Sequence, residues 1–194
     1  MNNSILQYLA LGLLVITSLV LILSTQWRWT AIALGIQYGM VFLLVAPALP
    51  IGLAAVKLLT GLMAVTILSA SQPTFEPEGQ AYHGSSVVWF RLLAAGLIWL
   101  LVFTMSPALS DWVPAGYPVL TGGALLFGMG ILQLGMTTRT LRVILGLLTA
   151  LSGFEIIYAS IEPSSLVAAL LSATTLGLAL VGGYLMMEAD EVEQ

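Results

Sequence analysis

Long apolar runs alternate with short polar breaks along the whole chain. The runs are roughly Ile5–Leu23, Thr30–Leu49, Ile51–Ala70, Val87–Met105, Pro118–Met136, Leu141–Ser160 and Ser164–Met187. A helix needs ~20 apolar residues to cross the hydrocarbon core, and each run supplies about that many. The pattern predicts an all-α, polytopic membrane protein with about seven transmembrane helices. Gln26-Trp27-Arg28-Trp29 separates the first two runs, Pro47 and Pro50 the next two, and Thr137-Thr138-Arg139 and Glu162-Pro163 bound the sixth. Breaks this short force consecutive helices to lie antiparallel and in contact. Two breaks are longer, Ser71–Ser86 and Ser106–Tyr117. Ile5–Leu23 is too long for a signal-peptide core and runs into Ser24-Thr25-Gln26-Trp27-Arg28 without a small-x-small cleavage site, so a retained helix is expected.

The arginines set an expected orientation. With seven alternating spans, Arg28, Arg91, Arg139 and Arg142 fall on one side, and no Lys or Arg flanks the other, which carries Asp111 and Glu162. Positive flanks stay cytoplasmic, so the N-terminus is expected outside and the C-terminus in the cytoplasm, in the inner or cell membrane. Trp27, Trp29, Trp89 and Trp112 lie near span ends, where an aromatic belt would place them.

A weak internal repeat divides the single transmembrane domain 1–194. Arg28 precedes Gly35 by the same interval that separates Arg139 from Gly146. Each pair is followed by a Pro-containing turn, at Pro50 or Pro163, and then by small residues, Gly52-Leu53-Ala54-Ala55 or Leu166-Val167-Ala168-Ala169. Residues 1–70 thus resemble 118–187 as three-helix units, with 71–117 as a connector and 188–194 as an acidic tail. Such parallel repeats are known in transporters. Small residues let helices approach closely in lipid. Gly35 with Gly39, and Gly122-Gly123 with Gly128 and Gly130, offer two such stripes, at least one of which should touch another helix.

Composition agrees with the span pattern. Hydrophobic residues make up 59% of the chain and charged residues 7%, with a mean hydropathy of +1.05. A soluble domain would carry about a quarter charged residues. Five basic residues against a net charge of −4 argue against a nucleic-acid partner. The absence of Cys excludes disulfides, thiolate metal sites and Cys nucleophiles. No Ser/His/Asp order, metal-ligand spacing, phosphate loop or dinucleotide fingerprint is present. No cofactor, metal site or catalytic residue of its own is expected, and His83, Asp111 and the Glu-rich tail read as solvated loop and end residues.

Two charges stand apart. Lys57 and Glu155 are the only ionisable residues well inside apolar spans. A charge there costs several kcal/mol and persists mostly where it pairs, meets water or serves transport. Both fall about two turns from the outer ends of their spans, roughly 10 Å deep at 1.5 Å per residue. A pair at that depth can exist charged or neutral, differing by one transferred proton, as a proton relay requires. It can also be a static ion pair between units, or a snorkelling Lys beside a Glu bonded to Ser152 or Tyr158. Gln37, Tyr38, Thr60, Thr66, Thr149, Ser152, Ser172, Thr174 and Thr175 could hold water near Glu155, or could join helices.

The stretch Gly130–Gly146, reading GILQLGMTTRTLRVILG, followed by Ser152-Gly153-Phe154-Glu155, resembles the K-type subunit of complex I. It is still more similar to the hydrogenase-4 component E proteins, and also to the C-type subunit of multisubunit Mrp cation/proton antiporters. K-type subunits have a glycine, a helix end, an Arg-Asn-Leu-like hinge and a helix with a buried glutamate. Component E proteins add a lysine in the third helix, which Lys57 would match. The K-type glutamate follows the hinge glycine by two positions, where this chain has Leu148; Glu155 lies two turns further on. Thr140 replaces the hinge Asn. The resemblance implies a membrane-arm subunit of an ion-translocating complex that contributes Glu155 and Lys57 to a proton or cation path. Other membrane-arm subunits and the bilayer would be its partners, and any redox chemistry would be theirs. A self-contained small transporter and a non-transporting scaffold or assembly subunit are the alternatives.

Overall fold

The computed structural model describes residues 2–24, 26–72, 85–110, 113, 115–162 and 164–192. They form seven helices and no strand: α1 Asn2–Leu23, α2 Trp27–Val45, α3 Ile51–Ala70, α4 Ser85–Ser110, α5 Tyr117–Gly135, α6 Thr140–Ile161 and α7 Ser165–Val192. All seven are long and apolar enough to cross a membrane, as the sequence pattern predicts. Three ends differ from the expectation. α7 continues to Val192, past Met187, so residues 188–192 of the expected acidic tail are helical: the helix outlasts the apolar run that marked it in the sequence. α2 stops at Val45 rather than near Leu49, because Pro47 has no N–H to extend the ladder; the chain turns through Leu49 on bonds to the Val45 carbonyl. α4 runs past Met105 to Ser110 and contains Pro107. Around that proline, Ser106 donates to the Val102 carbonyl at 2.7 Å and Ser110 to that of Pro107 at 2.6 Å.

The helices pack as two facing rows, α1-α2-α3 and α5-α6-α7. Neighbours within each row touch, and across the rows α1 touches α5, α2 touches α6 and α3 touches α7. Each helix therefore lies against its counterpart in the sequence repeat. α4 covers the α5 end, touches α1, and is the least buried helix, showing Trp89, Phe90, Leu93, Leu97 and Leu100 outward. α5 and α6 are the most buried.

The tightest crossing joins α5 and α6 through glycines seven residues apart on each helix. Gly123 meets the Gly153 carbonyl, and Gly130 lies on the backbone of Ala150. Gly146 meets the Gly130 carbonyl, and Gly153 lies on the backbone of Phe127 and the Gly123 carbonyl. In lipid, association rests on such close packing. The α5 stripe thus meets a neighbour as expected, whereas the Gly35–Gly39 face does not: Gly39 has open space beside it and Gly35 reaches only Leu62, at 4.0 Å.

The four arginines cluster at one end. Arg91 donates to the Ile22 carbonyl at 3.3 Å and Arg142 to that of Ser24 at 3.1 Å, occupying carbonyls that the end of α1 leaves without helical partners. Arg28 lies over the Trp27 ring. Trp29 and Trp89 are exposed near the same end. Trp112, His83, Asp111 and the last tail residues 193–194 lie outside the described residues.

Candidate functional site

The α5–α6 crossing aims Glu155. An α-helix turns about 100° per residue, so with Gly153 against α5, Glu155 projects to the opposite side, toward α2 and α3. On α3 the buried residues are Ala54, Lys57, Gly61, Ala64 and Leu68, alternating steps of three and four. That spacing is a core stripe, and Lys57 occupies one of its positions. The small neighbours on the stripe let α3 close on α2. A Cβ on Gly61 would fall inside the Tyr38 ring.

Lys57 Nζ and Glu155 Oε1 are 3.1 Å apart, with side chains 7% and 5% exposed. It is an ion pair across the two rows, and neither atom has a further hydrogen-bond partner among the described residues. Around it lie buried polar groups from α2 and α6. The Tyr38 hydroxyl sits beside Ser152 and near Glu155. Gln37 donates from Nε2 to Thr149 Oγ1 at 3.4 Å. Thr149, Ser152 and Glu155 are spaced by three and share one side of α6, facing Gln37, Tyr38 and Lys57. The Gln37 Oε1 oxygen is buried without a hydrogen-bond partner among the described residues, and the Tyr38 hydroxyl is buried facing Ser152.

The energetics of this cluster argue for chemistry. An ammonium offers three donors and a carboxylate about four acceptor positions. One contact leaves most of them unanswered, and each unsatisfied buried polar group costs about 1–3 kcal/mol. Desolvation of a buried pair can exceed its Coulomb attraction. Packing alone would favour two apolar residues here. What the pair offers instead is a proton that can move between two bases in a water-poor setting.

The structure thus brings together Lys57 and Glu155 and adds Gln37, Tyr38, Thr149 and Ser152 from the wider list of polar residues. The others stand apart. Thr60 donates to the Lys57 carbonyl. Ser172 and Thr175 are buried on α7 but bond back to Ala168 and Leu171. Thr66 and Thr174 bond within their own helices at exposed positions. Tyr158 stacks near Phe154 rather than on the carboxylate. The sequence reading missed Thr121, fully buried with an unpartnered hydroxyl, and the Gly61–Tyr38 contact. The three-four stripe on α3 is the signal that could have found the latter. No group of three or more His, Cys, Asp or Glu gathers among the described residues.

Two recesses open at the arginine-bearing end. One, with enclosed room for little more than a single water, lies between α2, α3 and α6 and is lined by Trp27, Thr30, Leu34, Val65, Leu68 and Leu145 among others. The other, equally shallow, is bounded by Ile22, Arg91, Gln133, Met136, Thr137 and Arg142. Comparison with protein-family models, with curated proteins and with solved structures finds no match to this chain.

Proposed function

We propose that the chain is a membrane-arm subunit of a complex I-like or Mrp-like ion-translocating assembly, with Lys57 and Glu155 in its proton or cation path. The observation that carries this reading is the 3.1 Å contact between two charges buried inside the helix bundle. The resemblance of residues 130–155 to K-type and component E subunits supplies the assembly. The positive-inside rule supplies an orientation with the N-terminus outside and the acidic C-terminus in the cytoplasm. Lys57 and Glu155 act as a relay: the pair switches between ammonium–carboxylate and amine–carboxylic acid forms as one proton passes. Electron transfer, where the assembly has any, belongs to other subunits. The broad apolar faces of α3, α4 and α7 suit lipid and neighbouring subunits. A self-contained transporter would need helices broken near mid-membrane, and the described helices run unbroken through that zone.

The test is Glu155→Gln, which keeps the shape and one acceptor but cannot ionise. The complex should assemble and co-purify with antiporter-like subunits while ion translocation falls at least tenfold, and Lys57→Met, though it lowers stability, should lower translocation per assembled complex likewise. Full translocation in an assembled Glu155→Gln complex would reduce the pair to a structural tie.

A further inference from the structure

We infer that the α2–α3–α6 interface is a hydrated path that admits water and protons from the arginine-bearing side to the Lys57–Glu155 pair, sealed midway by Leu34 and Leu145. The path extends the relay reading by giving it a route. Its mouth is the shallow recess among α2, α3 and α6, which has room for about one water. Its floor is Leu34 and Leu145, both buried. Gln37 lies one turn beyond Leu34 and Thr149 one turn beyond Leu145, so the seal is only about 6 Å thick.

Beyond the seal the same three helices carry polar groups only one or two residues apart in depth. Gln37 and Thr149 come first, then Tyr38 and Ser152, then Glu155 and Lys57. Gln37, Thr149 and Ser152 are 0%, 1% and 1% exposed, so none is a surface residue by accident. Gln37 Oε1 lacks a partner among the described residues, and a buried polar atom of this kind is ordinarily satisfied by ordered water. The chemistry selects the traveller. Calcium asks for six to eight oxygen ligands and magnesium for a near-octahedral set. One carboxylate, one amide and three hydroxyls strung along the membrane normal do not form such a cage. They do form a ladder of hydrogen-bonding groups along which a proton can pass through water.

Because the chain has no Cys, single introduced cysteines can test this in the full chain in membrane vesicles. Ag⁺, an ion close to water in size, is added on the arginine-bearing side. Protection of the thiol against later maleimide labelling under denaturing conditions is the readout. Only a hydrated thiol ionises and reacts readily. Thr30→Cys marks the mouth, and Phe127→Cys, half-exposed at mid-membrane on α5, marks the lipid face. Thr149→Cys is close to isosteric and should retain the fold; Gln37→Cys is the second probe. Both should be protected at least tenfold faster than Phe127→Cys, and adding Leu34→Ala should raise the rate further. Rates no faster than Phe127→Cys, with Thr30→Cys reacting quickly, would overturn the path. The readout needs no translocation, so hydration at Thr149→Cys together with normal translocation by Glu155→Gln would uphold the path and refute the relay.

Discussion

Lys57 and Glu155 were legible as single residues because nothing else ionisable lies deep in a span. Their distances from the span ends also gave their common depth. Their contact was not legible. α3 and α6 are not consecutive helices, and spacing along a chain does not fix which helices meet across two rows. Nor could the pattern tell that Tyr38 and Ser152 lie beside the pair while Ser172 and Thr175 lie away from it on α7, since Ser152, Ser172 and Thr175 are equally buried and all bond back to their own helices. A buried pair has a recognisable energetic signature. Removing one partner strands a charge and costs about 3–5 kcal/mol, whereas replacing both by apolar residues is often neutral or better. Glu155→Leu and Lys57→Met are each expected to destabilise the protein by several kcal/mol in detergent unfolding, and the double variant Lys57→Met/Glu155→Leu to recover most of that loss. Strictly additive losses would mean that the two side chains do not depend on each other.

Helices and their crossings show a different balance. Seven spans follow from length and hydropathy alone; of the three misplaced ends two involve proline, at Pro47 and Pro107, and the third is α7, which continues past its apolar run to Val192. Small-residue stripes were visible as candidates, but their partners were not. Gly35–Gly39 and Gly123–Gly130 look alike in sequence, yet one borders open space and the other the backbone of α6. What separates them is the reciprocal pair Gly146 and Gly153, spaced like Gly123 and Gly130, so that two flat faces meet. A methyl group on Gly153 or Gly130 would run into backbone atoms that cannot step aside. Gly153→Ala and Gly130→Ala should each cost about 1–3 kcal/mol, as overpacking does. At Gly39 the same change meets nothing and should raise helix stability by about 0.5–1 kcal/mol. Thermal unfolding in one detergent distinguishes them. A Gly153→Ala protein as stable as Gly39→Ala would show that α5 and α6 are further apart than described. The Gly153 variant should also disturb the Lys57–Glu155 contact, since that glycine sets the direction in which Glu155 points.

At the scale of the whole molecule, the two rows place each helix of the first unit beside its counterpart in the second, while the site itself is asymmetric. Lys57 belongs to the first unit and Glu155 to the second, and the polar positions Gln37 and Tyr38 on α2 face Thr149, Ser152 and Glu155 on α6. The Lys57–Glu155 contact is therefore one that neither unit could make alone. The proposed orientation rests on the arginines. Arg91 and Arg142 hold the end of α1, and Arg28 and Arg139 stand at the starts of α2 and α6, so the four form one basic rim. Moving that rim through the bilayer would carry four permanent charges across, at about 2.5–3.5 kcal/mol each on insertion scales. A rim that stays in the cytoplasm fixes every helix direction, because seven crossings leave the two termini on opposite faces. A reporter fused after Gln194 is expected to read cytoplasmic, and one inserted in the Ile161–Ser165 turn to read external. In the proposed orientation the mouth of the α2–α3–α6 recess would open to the cytoplasm and the Lys57–Glu155 pair would lie nearer the outside, so protons arriving through it would travel outward. An external signal from the Gln194 fusion, with the internal fusion reading cytoplasmic, would invert the molecule and reverse that direction.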